Sequence, residues 1–440
     1  MKPERKRRLV AFGLVLLALV HVALVIGMQS RAFDAFFNDA NHRLGPGTDF
    51  AAYYVAARAW LAGQGAYGHG PAFGFRYHPL FAMVIGETLA RLPMRVAFLA
   101  WVVINEVLLL GTLLVLRRRS DDSRCATAVT LLMLFFSPYF LETYMGNASF
   151  VVAALLLLAF DAVDRGKHWP GMALFLVSLL IKPLGLVFVP VLLVRRLWLE
   201  TAATLALWGL AALPYFLARP ADLSTFITIN VNAIPAPGWV VHAGNQGLHG
   251  LLTDLAARLW DISPARLASF GELPAVARVL LSLLPLSLVA LALRVTLLPG
   301  VRSRTGLLML LWSCVYLMGY KDVWEHSYDF VLPALAYAWI RDGDVIPRQW
   351  LLVSSIGLAL PTAFILYDVA LPPGPRDPER YFSLVTSIVH HATKPAFLGL
   401  AFVAALAAAY KVTGAARTGT QPKSSSSQTG PRRAERHEPS

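Results

Sequence analysis

The residues in this chain that could do chemistry are few, and they recur at one kind of place. Asp49, Arg76, His78, Asn147, Lys182, Asn245, Gln246, Lys321, Asp322, Glu325 and His326 each stand at or beyond the same end of an apolar run. Polar groups beside apolar segments cost desolvation free energy, so a gathering of them marks a candidate site. Asp49 follows a Gly-Pro-Gly-Thr turn and opens an amphipathic segment, where the helix dipole favours an ionised carboxylate. It can cap that helix, because Asp is favoured at N-caps, and the same carboxylate can act as a general base. Lys182, in LLIKPLGL, either snorkels to lipid headgroups or holds a phosphate as a point charge. His326, in KDVWEHSYDF, is either structural or shares a proton with Glu325, although adjacent side chains in a helix point in different directions. Asn105 and Glu106 lie inside an apolar run and read as a satisfied packing pair.

Several familiar signatures are missing. The chain has no Walker A loop, no GxGxxG after a strand, no HExxH and no GxSxG. A pump driven directly by ATP is therefore not indicated. No cluster of carboxylates suggests a metal, and no cofactor is implied. Cys125 and Cys314 lie in apolar segments without CxxC or Cys/His spacing, and read as small buried hydrophobes.

The elements that must position these residues follow from composition. Of the 440 residues, 57% are hydrophobic and 15% charged, against about 25% charged in a soluble domain. That much apolar surface cannot be hidden in one water-soluble globule. Apolar runs of membrane-crossing length recur, so the chain reads as an all-α polytopic integral membrane protein. The net charge of +13 lies in Lys and Arg blocks at the ends of apolar runs, a topology signal that does not call for nucleic acid.

Along the chain, a basic N-terminus over residues 1–8 precedes a retained first helix, Leu9 to Met28. A loop over about 29–77 follows, with an interfacial helix at Asp49 to Ala62 carrying Ala52, Val55, Ala56, Ala59 and Trp60 at helical spacing. Residues 78–92, closed by Pro93, read as a helix at the membrane surface. Spans are expected near 95–116, 125–142, 147–163, 169–181, 183–194 and 198–216, with Lys182-Pro183 dividing two short helices. A second long loop, about 217–275, precedes spans near 276–297, 305–320, 328–340, 349–366 and 388–410. The Ser-, Pro- and Arg-rich tail, 412–440, is expected to be disordered. With about twelve spans both termini are cytoplasmic, every short cytoplasmic loop is basic, and the chemical residues fall on the extracytoplasmic side, the long loops included.

At this point the pieces resemble a known family. The segment DFAAYYVAARAWLAGQGAY over 49–67, FRYHPL over 75–80, SPYFLETYMGN over 137–147, the element from Gly171 to Lys182-Pro183 and GNQGLHG over 244–250 together look like glycosyltransferase family 87. The resemblance covers roughly residues 45–335. It implies a GT-C fold in a bacterial inner membrane, with the active site extracytoplasmic. The donor it implies is a polyprenyl-phosphate-linked sugar, mannose first among the candidates, and the acceptor is a lipid or glycan. Asp49 takes the position of the family's general base, and His326 after Trp324 that of a donor-side histidine. Lys182, Arg76, Asn147 and Glu325 become further donor-phosphate or sugar candidates, with Asn245 and Gln246 as possible sugar contacts. Where the family usually shows Tyr-Pro-Pro-Leu, this chain has Tyr77-His78-Pro79-Leu80, so His78 either lines the site or replaces a turn proline. Two other readings stand beside the enzyme: a transporter or flippase of lipid-linked sugars, and an inactive relative in envelope assembly. Transporters tend to bind near the midplane between paired repeats, and no repeat is visible.

Overall fold

The structure, a computed structural model, describes residues 3–30, 32, 45–69, 74–231, 245–264, 267, 270–361 and 391–418. Among these residues it is helical, with no strand. Five helices are long and apolar enough to cross a membrane: Met94–Arg119 (α4), Ser123–Met145, Trp198–Ala218 (α10), Ala275–Thr296 (α13) and Thr393–Thr418 (α17). Their outer faces carry exposed Val103, Val107 and Leu110 on α4, Leu210 and Leu217 on α10, and Leu280 and Leu286 on α13. Aliphatic faces of that extent suit lipid and not water. The chain is a polytopic membrane protein.

Helix length does not carry the expectation of about twelve spans. The runs near 147–163, 169–181, 305–320 and 328–340 form the shorter helices Ser149–Asp164 (α7), His168–Ile181 (α8), Thr305–Gly319 (α14) and Leu332–Asp342 (α15). Of these, α7, α14 and α15 are buried along most of their length, α14 against α15 and α17, while α8 buries one face and exposes Trp169 and Val177. A run of 10–16 residues reads the same in sequence whether it faces lipid or neighbouring helices. The run near 125–142 is broken at Phe135 and Phe136 into Ser123–Leu134 (α5) and Ser137–Met145 (α6), and 183–194 is a 3-10 turn followed by Val189–Val194 (α9). The divide at Lys182-Pro183 is as the sequence implied. The last helix continues past 411 to Thr418, correcting the expected start of the tail, and the remainder of the tail lies outside the described residues.

The first helix, α1, runs Pro3–Gln29, and the first loop contributes α2, Thr48–Leu61, and α3, Pro79–Glu87. The interfacial reading of α2 understates its burial. Phe50, Tyr53, Ala56 and Ala57 are fully buried against Tyr77, Phe81, Phe98 and Trp101. Val55 and Trp60, expected on the apolar face, are half-buried. The parts of the two long loops over 33–44 and 232–244, and of the expected spans over 362–366 and 388–390, lie outside the described residues.

Two glycines allow the site to close. Gly47 caps α2 and Gly146 ends α6, with φ of 74° and 72°, a region where only glycine is free of strain. A Cβ on Gly146 would stand 2.7 Å from the Phe50 Cβ and 2.9 Å from the Phe98 ring. Gly47 N–H donates to the Tyr144 carbonyl at 2.8 Å, so the start of α2 and the end of α6 meet directly. Asp49 and Asn147 follow from that junction.

Candidate active site

Asp49 lies in the first turn of α2, but its carboxylate caps nothing in its own helix, since Gly47 holds the N-cap position without a side-chain bond. The expectation of a capping Asp is corrected: Asp49 Oδ2 accepts from Asn147 Nδ2 at 2.6 Å. The other described partner of Asn147 Nδ2 is His326 Nε2, at 3.2 Å. One amide thus bridges a carboxylate and an imidazole whose nearest atoms are 3.9 Å apart.

The orientation of Asn147 is set from its other side. Its Oδ1 accepts from Ala148 N–H at 2.6 Å, Ser149 N–H at 3.2 Å, Ser149 Oγ at 3.1 Å and Lys182 Nζ at 3.2 Å. With that oxygen among donors, only the NH2 group can face Asp49 and His326. The backbone is held too, since Asn147 N–H donates to the Glu142 carbonyl and the Trp101 indole donates to the Asn147 carbonyl.

His326 belongs to a 3-10 segment, Glu325–Val331, packed on α6. Accepting at Nε2 requires the neutral imidazole with its proton on Nδ1. Burial pushes its pKa down to about 4; Asp49 opposes that and Lys182 adds to it. The Nδ1 is buried and has no partner among the described residues. Lys182 donates to Ser149 Oγ at 2.8 Å besides Asn147, and lies 5.7 Å from the Tyr77 ring centre. Burial lowers its pKa, while Glu142 and Asp49 raise it. Two of its three N–H donors are engaged within the cluster and one remains for a ligand.

Beneath Lys182 lie two acids that sequence reasoning did not single out. Glu142 and Asp329 are fully buried and lie close enough to influence each other's ionisation. Two carboxylates buried this near to each other repel, which favours keeping a proton on the pair. Glu142 Oε1 accepts from Phe150 N–H at 3.1 Å, fixing the first turn of α7 that carries Ser149. Ser149, also missed, could have been found as a hydroxyl two residues beyond Asn147 at a helix start. Glu142 and Asp329 gave no such signal, because no local spacing pairs residues so far apart.

The remaining candidates divide. Arg76 lies near enough to Lys182, Tyr77 and Tyr320 to influence their titration, so it borders the same cluster. Asn245 and Gln246 are almost fully buried and knit two loops together. Asn245 Nδ2 donates to the Lys321 carbonyl at 2.8 Å and its Oδ1 accepts from Gly247 and Val323 N–H, while Gln246 N–H donates to the Val323 carbonyl at 2.7 Å. His78 is the N-cap of α3: Nδ1 accepts from Leu80 N–H and Nε2 meets the Trp208 carbonyl, both at 3.2 Å. It ties α3 to α10, and burial pushes its pKa down to about 4. Glu325 points away from Asp49 toward Lys394, 3.6 Å distant. Glu106, taken as packing with Asn105, instead bonds His21 at 3.0 Å and Tyr139 at 2.9 Å. Among the described residues no group of three or more His, Cys, Asp or Glu is placed to hold a metal ion.

The bundle and its cluster define a membrane protein with a polar cluster that combines a reachable carboxylate, a neutral imidazole and an ammonium. The model of glycosyltransferase family 87 matches the chain over residues 75–319. This protein belongs to that family and is a membrane glycosyltransferase. Asn147 and Lys182 fall inside the matched residues, whereas Asp49 and His326 flank them. No curated relative matches the chain.

Proposed function

We propose that this protein transfers a sugar, mannose first among candidates, from a polyprenyl-phosphate donor to a lipid or glycan acceptor, with inversion and with Asp49 as general base. The observation that carries the reading is the amide bridge of Asn147, which holds the Asp49 carboxylate beside a neutral imidazole and an ammonium. The Asp49 side chain keeps 26% of its surface exposed, against 7% for His326, so an acceptor hydroxyl can reach it.

In this scheme Asp49 takes the hydroxyl proton as the acceptor oxygen bonds to the anomeric carbon, and the bond from that carbon to the phosphate oxygen breaks. The polyprenyl phosphate leaves as an anion and needs no acid. The third N–H of Lys182 and the Nδ1–H of His326 offer donors for its oxygens, with Arg76 at the border. Neutral His326 donates without adding a charge that would pair with Asp49 and weaken it as a base. The surrounding architecture is proposed to be of GT-C type, with about twelve passages of chain, several as short or broken helices. The site is proposed to face the extracytoplasmic side of a bacterial inner membrane, both termini cytoplasmic.

The test is transfer by the purified protein from polyprenyl-phosphate-mannose, with Asp49→Asn alongside. We expect the variant to lose roughly 10²- to 10⁴-fold in turnover, the usual contribution of a positioned base, while remaining inserted and monodisperse. Near wild-type transfer by the variant removes the base assignment. Turnover with a nucleotide sugar alone removes the donor assignment.

A further inference from the structure

We propose that Glu325 and Lys394 form a buried ion pair that positions His326, making the last helix a working part of the site although it lies beyond the residues matched to the family. This role rests on the glycosyl-transfer reading above.

Lys394 opens α17 and is fully buried. Its ammonium donates to the carbonyls of Leu358, at 2.6 Å, and Leu360, at 2.5 Å, where the helix Arg348–Ala359 (α16) ends. A helix C-terminus presents carbonyls without intrahelical donors, and a cation there meets the negative end of the dipole. The third direction faces Glu325 Oε1 at 3.6 Å, on a residue that is itself 4% exposed. The same Oε1 accepts from Ser137 Oγ at 3.4 Å, at the first residue of α6. Glu325 therefore joins three things: the start of α17 with the end of α16, the start of α6, and the 3-10 segment whose next residue is His326.

A 3-10 segment has little rigidity of its own, because its hydrogen bonds are poorly aligned and short runs are the rule. His326 must hold Nε2 against Asn147 to keep the neutral form and the Nδ1–H orientation. Asn147 is fixed by α6 and α7, so the second half of that contact has to be fixed by whatever holds residues 324–326. The Glu325 bonds do so from beneath: one residue points into the core and is anchored, and its neighbour points to the site. That division also explains why the adjacent carboxylate is not the proton partner of His326.

The experiment measures turnover of E325Q and K394Q in wild-type and H326A backgrounds, together with hydrogen–deuterium exchange over residues 324–331. A displacement near 1 Å can cost on the order of 10²-fold, so we expect E325Q to lower kcat about 10- to 100-fold with donor KM within about twofold. In the H326A background the same substitution is expected to change kcat by less than about twofold, since the residue it positions is gone. Exchange over 324–331 is expected to rise while that of 305–319 does not. If either single variant fails to accumulate, E325Q/K394Q removes both charges, leaves neither uncompensated, and is expected to show the same kcat loss. Full kcat in an inserted E325Q, or an equal loss in the H326A background, overturns the positioning role. Should the wild type itself transfer no sugar, the functional reading fails; unchanged exchange over 324–331 in E325Q then separately overturns the anchor.

Discussion

Helix α7 has an acid cluster near each end, about 22 Å apart at 1.5 Å per residue, and the two are built on opposite principles. At its far end Asp164 accepts from Arg195 at 2.7 Å, Thr305 at 2.6 Å and Tyr337 at 2.9 Å, so three elements meet on one carboxylate. Asp161, a turn earlier, lies between Arg119 and Arg165, both at 2.6 Å. Each acid there has a guanidinium of its own. At the near end the charges are held but not matched: Asp49 meets an amide, His326 is neutral with a donor unengaged, and Lys182 bonds an amide oxygen and a hydroxyl. Charges satisfied by one another stabilise a fold. Charges held in place by neutral groups keep their electrostatic strength for a ligand.

The largest expected effect breaks that contrast outright. Asp49→Asn should remove about 10²-fold or more of turnover with folding stability changed by less than about 1 kcal/mol, because the side chain is partly exposed and an amide oxygen there still accepts from Asn147. Asp164→Asn should do the reverse, lowering stability by about 3 kcal/mol because Arg195 is left half-buried without its anion, with turnover per folded molecule unchanged. Chemical denaturation in detergent and a transfer assay on the same preparations read both; a stability loss at Asp49 matching that at Asp164 would erase the distinction.

Next in size, Lys182→Met should lower kcat by about 10²-fold, the usual cost of losing a donor to developing charge. A rise in donor KM with kcat intact would instead make Lys182 a ground-state binder. The smallest effect is on pH. His78 and His326 have folded pKa values near 4, below the ordinary 6.5, so the unfolded chain binds more protons between those values. Their contribution is complete above pH 6.5 and is lost as the pH falls toward 4. Melting temperature in His78→Asn should fall less steeply over that window than in the wild type. An identical slope would remove His78 from the account.

The sequence showed the membrane class through composition, and most helix boundaries through Pro, Gly and charge. It showed Asp49, Asn147, Lys182 and His326 as residues of the right types, because polar groups stand out against apolar runs. It could not show the role of Asp49, since a first-turn Asp caps its own helix or bonds elsewhere with the same local pattern. Nor could it separate Glu325 from His326, adjacent in chain and opposite in direction. Glu142, Asp329, Ser149 and Lys394 were passed over because a buried polar residue is recognised by its partner, and these partners are distant in sequence.

What the sequence by itself determined is therefore chemical inventory: an apolar chain suited to lipid and a short set of groups able to move a proton or meet a phosphate. Tertiary structure decided which of them meet. Short helices such as α7, α14 and α15 are buried against protein along most of their length, which the sequence did not distinguish from burial in lipid because the two have the same signature. The close approach of Gly47 to the end of α6 then brought Asp49 onto Asn147, a contact set by packing across 98 positions of chain, on which local propensity has no bearing.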